Sequence, residues 1–189
     1  MKALSSFGAS YPSSGTAAAV QDLTKGCTTP SRIVSIHVAN SASAGSGVYS
    51  VSMNNAAVYT PSVDGPLTHF DYSESNASIV GHQATGPALL QNGNFYVDTQ
   101  PHPLTVDTTS CGALSLVEIS SDEMCRLLPS GSNPSTYGPY TDCTQHPDFS
   151  GTGAQMTFGF FRGNSAPGGG YDTSAIMDNW DINLCGTAP

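Results

Sequence analysis

The sequence predicts an all-β domain, two antiparallel sheets stacked as a sandwich with long loops and at most one or two short helices. Three observations lead there. Several short segments alternate apolar and polar residues with a period of two, the pattern of a half-buried strand. Asn92-Gly93 lies between two apolar runs, and both residues accept the positive φ that a type I′ hairpin turn requires. Ser, Thr and Gly supply 64 of the 189 residues, with 13 Pro besides, a composition that favours strands and turns over helices.

Along the chain, residues 1–30 read as an N-terminal arm or first strand, and residues 31–189 as the sandwich. The alanine-rich stretch Thr16–Leu23 is expected to form a helical turn or two. Val34, Ile36 and Val38 alternate with Ser35 and His37, and Tyr49, Val51 and Met53 with Ser50 and Ser52, giving two strands joined by the loop Asn40–Gly47. Leu67–Tyr72 and Ala77–Val80 follow, then the hairpin Ala88–Val97 about Asn92 and Gly93. In Leu114–Ile119, Leu114 and Leu116 face one side, Val117 and Ile119 the other. Ser120 and Glu123 have capping-box spacing and open a short helix through Leu128. Pro129–Pro147, with four prolines and no periodicity, is a long loop. Met156, Phe158, Phe160 and Arg162 share one face of a strand, and Gly168-Gly169-Gly170 leads to the last strand, Ile176–Leu184.

A formal charge of -9, with only five Lys and Arg, excludes nucleic acid as a direct partner, because that affinity comes from cations neutralising phosphates. No apolar run is long enough to insert in a membrane, and Met1–Phe7 turns polar too soon for a signal peptide. Five cysteines lie far apart with no Cys-x-x-Cys pair, so zinc-ribbon and thioredoxin readings fail. In an oxidising setting they allow two disulfides and one thiol: Cys125 with Cys143 closes the loop 126–142, and Cys27 with Cys185 ties the arm to the last strand. Spacing does not settle connectivity, and reduced buried thiols are the alternative.

Catalysis finds no motif. The histidines are dispersed, there is no Gly-x-Ser-x-Gly elbow, and the three glutamates lack the spacing of a sandwich glycosidase. The sequence is read as a non-enzyme without a cofactor.

Two blocks carry a resemblance. Gly65–Ser73 with Ala88–Val97 is the first; His146–Gly153, Met156–Ser165 and Asp178–Ile182 make the second. Their order resembles the bacterial and phage extracellular jelly-roll sandwiches grouped with carbohydrate-binding modules and laminin-G-like or concanavalin-like domains. The resemblance implies a jelly roll, and in related carbohydrate-binding jelly rolls an Asp at the place of Asp178 helps to hold a structural calcium. Arg162 or a backbone group is the competing partner for that carboxylate. Trp180 alternates with the apolar side of its strand and is read as core. Tyr137, Tyr140 and Tyr171, in Pro/Gly-rich loops, are the candidate glycan or partner contacts.

The first expectation is a non-catalytic accessory structural protein of a bacterial virus, a capsid decoration or fibre-like module that assembles as a homo-oligomer on the virion surface through its arm. The alternatives are a secreted carbohydrate-binding module with a glycan partner and a structural calcium, and a self-assembling surface-layer or filament subunit, both extracellular.

Overall fold

The computed structural model describes residues 5–11, 15–22, 27, 31–38, 46–98, 102–103, 111–128, 141–166 and 170–187. The strands are β1 Ser5–Tyr11, β2 Gly15–Asp22, β3 Ser31–Val38, β4 Ser46–Tyr59, β5 Leu67–Val80, β6 Ala84–Gln91, β7 Asn94–Asp98, β8 His102–Pro103, β9 Gly112–Ile119, β10 Met124–Leu127, β11 Thr141–Asp142, β12 Met156–Ala166 and β13 Tyr171–Gly186. A four-residue helix, α1, spans Pro61–Asp64. One sheet runs β1-β4-β12-β6-β7-β10-β11, with β8 paired to β6, and the five-stranded sheet runs β2-β3-β13-β5-β9. All these pairings are antiparallel. The expected all-β, two-sheet sandwich is thus the observed architecture. Among the described residues no helix is long and apolar enough to cross a membrane.

The core lies where the two sheets face each other. Val34, Ile36 and Val38 meet Phe158 and Phe160 there, and Phe70 packs edge-on against both Phe149 and Phe158. The β6–β7 turn has Asn92 at φ 52° and Gly93 at φ 76°, the two positive values of a type I′ hairpin.

Several expectations are corrected. The expected helical turn is not formed over residues 16–22, which pair with β3 along their length while Ala17 and Ala19 pack on the core; Leu23 lies outside the described residues. Strand pairing there overrides the helical preference of alanine. The helix expected through Leu128 is a single 3-10 turn, Ser121–Glu123, in which the Ser120 N–H donates to Glu123 Oε2 at 2.8 Å. Beyond it, Met124–Arg126 pair with β7 instead. Leu67–Tyr72 and Ala77–Val80 are one strand, β5. Ile119 faces the core with Leu114 and Leu116, because a bulge in β9, with Glu118 at φ 58°, reverses the alternation after Val117.

The largest correction concerns β4. Val48 points into the inter-sheet core, whereas Tyr49, Val51 and Met53 belong to a second apolar cluster with Ala88, Val97, Leu127 and Phe161. Those residues lie on the outer face of the larger sheet, and they are all buried. Ser50 and Ser52 therefore face inward, also buried. Beside them β12 approaches β4 so closely that a Cβ on Gly159 would stand 2.0 Å from the Ser52 carbonyl oxygen.

Cys125 is bonded to Cys143, 18 residues away. Cys27 is bonded to Cys111 and not to Cys185; their Cα atoms stand 5.6 Å apart, within bridging reach. Cys185 is held in β13 opposite His69 as a free thiol.

Candidate functional site

The outer face of the five-stranded sheet is the polar counterpart of that covered face. Along β3, β13 and β5 the outward positions carry hydroxyls, carboxamides, carboxylates and an imidazole, and these bond across the strands. His37 Nδ1 and Asp172 Oδ1 stand 2.7 Å apart, with half or more of each side chain exposed. One step along, Ser35 and Ser174 exchange a hydroxyl hydrogen bond at 3.2 Å. Asn179 Nδ2 donates to Ser75 Oγ at 3.3 Å, and Asn183 Nδ2 donates to Asp71 Oδ2 at 3.3 Å. The Glu118 N–H on β9 donates to the other Asp71 oxygen at 2.9 Å.

Register explains the ladder. His37 and Asp172, Ser35 and Ser174, and Asp71 and Asn183 are direct cross-strand partners, so their Cβ atoms stand within hydrogen-bonding reach on one face. Between Asp178 and Asp181 β13 slips by one residue against β5, with Asn179 in the left-handed region at φ 48°. The slip moves the inward phase from Thr173, Ala175 and Met177 to Trp180, Ile182 and Leu184. It also places Asn179 over Ser75. The backbone N–H of Glu118, with help from Asn183 and His69, holds the Asp71 carboxyl below its ordinary range, so this one carboxylate stays ionised further into acid.

A second polar constellation is sealed inside. Arg162 Nη2 donates to Glu74 Oε1 and Oε2 at 3.0 and 3.1 Å, and both side chains are 0% exposed. Tyr72 donates its hydroxyl to Glu74 Oε2 at 2.5 Å, Asn76 Nδ2 donates to Oε1 at 2.9 Å, and Thr85 Oγ1 to the same oxygen at 3.2 Å. Arg162 also lies over the Phe160 ring, 5.1 Å from its centroid. Burial first, then the Glu74 charge, pushes the Tyr72 phenol well up, which keeps it a donor. Cut off from solvent, this cluster ties β5 of one sheet to β12 and β6 of the other.

The candidate residues named from the sequence fall into place unevenly. Arg162 does continue the Phe158 and Phe160 face, but its carboxylate partner is Glu74 and not Asp178. Asp178 sits at the slip in β13, where its Oδ1 accepts the Asn179 N–H at 2.8 Å. Among the described residues no group of three or more His, Cys, Asp or Glu side chains forms that could hold a metal ion, Asp178 included. Trp180 packs half-buried against the core, its indole Nε1 without a partner among the described residues. Tyr171 is not in a loop; it opens β13 opposite Val38 and donates its hydroxyl to Asn164 Oδ1. Tyr137 and Tyr140 lie outside the described residues.

Sequence reasoning misses Glu74 and the Asp71–Asn183 pair. For Glu74 the sequence does hold a signal, since it continues the Phe70 and Tyr72 alternation and an inward carboxylate demands a buried cation. The ladder has none, because it exists only once register sets β13 beside β3 and β5.

No family model matches the sequence, and neither does any curated protein. Solved structures do. A family 11 carbohydrate-binding module of the cellulosomal cellulase Lic26A-Cel5E of Clostridium thermocellum is 13% identical over 99% of this chain and 89% of its own, with a TM-score of 0.47. The same kind of module from Clostridium thermocellum, in complex with a β-1,3-1,4-mixed-linked tetrasaccharide, is 12% identical over 98% and 89% at 0.47. An exo-β-agarase is 14% identical over 93% of this chain and 23% of its own at 0.40. The two-sheet architecture itself rests on the strand pairings described above.

Proposed function

We propose that this chain is a non-catalytic carbohydrate-binding module whose ligand lies across the outer face of the five-stranded sheet. The observation that carries the reading is the exposed ladder of His37–Asp172, Ser35–Ser174, Ser75–Asn179 and Asp71–Asn183. Sugar hydroxyls both donate and accept, and planar carboxylates and carboxamides held in fixed orientation suit them. The cross-strand bonds hold these groups in place before a ligand arrives, which lowers the entropic cost of binding. Two disulfides support an extracellular setting, since such bonds persist in oxidising compartments. The expectation of a virus particle rests, besides how the chain begins, on an acidic, motif-free composition and on phage members of the resembled group; the exposed ladder supports a glycan better.

Affinity electrophoresis through gels containing soluble polysaccharides, backed by a glycan array, tests the proposal. Retardation by at least one glycan is expected. Asn183→Ala and Asp71→Ala should each weaken it about 10-fold, the equivalent of one hydrogen bond to a charged or polar group. Thr152→Ala, exposed in the 143–155 loop, should leave it unchanged. Absence of retardation on every glycan, or full retardation of both ladder variants, would overturn the reading.

A further inference from the structure

The inter-sheet space is divided. Towards the 143–155 loop it is aromatic, with Phe70, Phe149 and Phe158 in contact. Towards the other end it holds Ser52, Glu74, Asn76, Gln83, Thr85 and Arg162, all buried. Four atoms of this polar half, Arg162 Nε, Asn76 Oδ1, Gln83 Oε1 and Ser52 Oγ, have no hydrogen-bond partner among the described residues. Buried polar atoms in folded proteins are paired with rare exceptions, to protein or to ordered water.

Neither carboxamide can cure this by turning over. Asn76 already donates its Nδ2 to Glu74 Oε1, and a flip would set its oxygen against that carboxylate. Gln83 donates Nε2 to the Val34 carbonyl at 3.0 Å and to Thr173 Oγ1 at 3.2 Å, and a flip would set its oxygen against that carbonyl. Asn76 Oδ1 and Gln83 Oε1 are therefore fixed as acceptors, while the Arg162 Nε–H can only donate. Arg162 cannot swing towards them, because its Nη2 is held by both Glu74 oxygens and its Nη1 donates to the Phe161 carbonyl at 3.4 Å.

We infer that this half of the sandwich interior is a built water site: ordered solvent accepts from the Arg162 Nε–H and donates to Asn76 Oδ1, with Gln83 Oε1 and Ser52 Oγ as further partners. The donor and acceptor set is complementary to water, which accepts and donates two hydrogen bonds each and typically makes about three when buried. Arg162 Nε and Asn76 Oδ1 belong to side chains bonded to the same Glu74 oxygen, so one molecule or a short chain of them joins the two. The sheets are then held together by a hydrated polar seam, not by a dry ion pair.

Two measurements on the intact oxidised chain decide it. In an atomic-resolution crystal structure, ordered solvent peaks are expected within hydrogen-bond distance of Arg162 Nε and Asn76 Oδ1. In solution, water–protein cross-relaxation should connect long-lived water to the Arg162 Nε–H and the Asn76 side-chain amide, and Asn76→Leu should abolish the cross-peak at Arg162 in a chain that keeps its amide spectrum. Should Asn76→Leu fail to fold, the cross-peaks of the unaltered chain decide alone. A dry interior, either atom paired with another protein group, or no water cross-peak at Arg162 overturns the inference.

Discussion

Replacing Glu74 by Leu isolates the contribution of the sealed ion pair. The substitution leaves the Arg162 guanidinium in a site with 0% side-chain exposure and no carboxylate, while the phenol of Tyr72 and the amide of Asn76 lose their acceptor. Breaking a buried pair from one side costs about 3–5 kcal/mol. Against a total stability of roughly 5–15 kcal/mol this is a large fraction. For a chain of this length it lowers the Tm by roughly 6–20 °C, taking about 2–4 °C per kcal/mol. Adding Arg162→Met removes the stranded charge and keeps a long apolar side chain over Phe160, so the double variant should recover at least half of the loss. Urea unfolding of the oxidised chain, followed by the fluorescence of Trp180 and by circular dichroism, gives all four corners of the cycle. A loss below about 1 kcal/mol for Glu74→Leu, or additive losses in the double variant, would refute the reasoning.

Other expected outcomes follow from single features. Removing the Cys27–Cys111 bond, which spans 84 residues, should cost about 4.5 kcal/mol and removing Cys125–Cys143, which spans 18, about 3 kcal/mol, as paired Cys→Ser variants in urea will show; the reverse ranking would contradict the pairing. The Asp71 carboxyl titrates lower in the folded chain than in the unfolded one, so its contribution is present above the unfolded value and lost as pH falls through the folded one. Denaturation midpoints measured from pH 5 down to about 2 should therefore fall less steeply for Asp71→Asn, and an identical slope would remove the linkage. Gly93→Ala meets no atom within 4 Å and should cost only the left-handed backbone, about 1–2 kcal/mol. Gly159→Ala, which drives a methyl into the Ser52 carbonyl, should cost more than Gly93→Ala by thermal melt.

Local chemistry makes part of this fold readable. Asn92-Gly93 announces its turn because few dipeptides accept two positive φ values. The run Met156, Phe158, Phe160, Arg162 keeps its phase because β12 lies between two partners over most of its length. Elsewhere alternation misleads. Tyr49, Val51 and Met53 look inward by hydropathy, yet Ser50 and Ser52 take that side, because the inter-sheet space beside them is polar and the other face is covered too. Simple alternation puts Ile119 on the wrong side, because a single bulge at Glu118 reverses the phase and leaves no mark in composition. The partner of Arg162 can be narrowed to a carboxylate but not chosen, since Glu74 is 88 residues away and only register brings it near. The alanine stretch reads as helix because its own preference is the only local information, and β3, which decides the matter, begins after it.

These slips bear on where a ligand can lie. A sheet that buries one face presents the other to solvent, and such a face is the default place to look for binding. Here the larger sheet has no open alternative at its centre, because Tyr49, Val51, Met53, Ala88, Val97 and Phe161 are all buried on its outer side. The five-stranded sheet differs: Ser35, His37, Asp172 and Asn179 are exposed, and at its β9 edge Val117 is 68% exposed. Arg162, which on the surface would counter the acidity of that face, is spent inside on Glu74, and Arg126 is engaged with Gln145 Oε1 at 2.7 Å. An acidic polymer approaching Asp71 and Asp172 would therefore meet repulsion from the carboxylates of this face. On the proposed reading, the hydroxyls of an uncharged glycan would instead meet acceptors and donors already in position, and that asymmetry follows from how the interior is built.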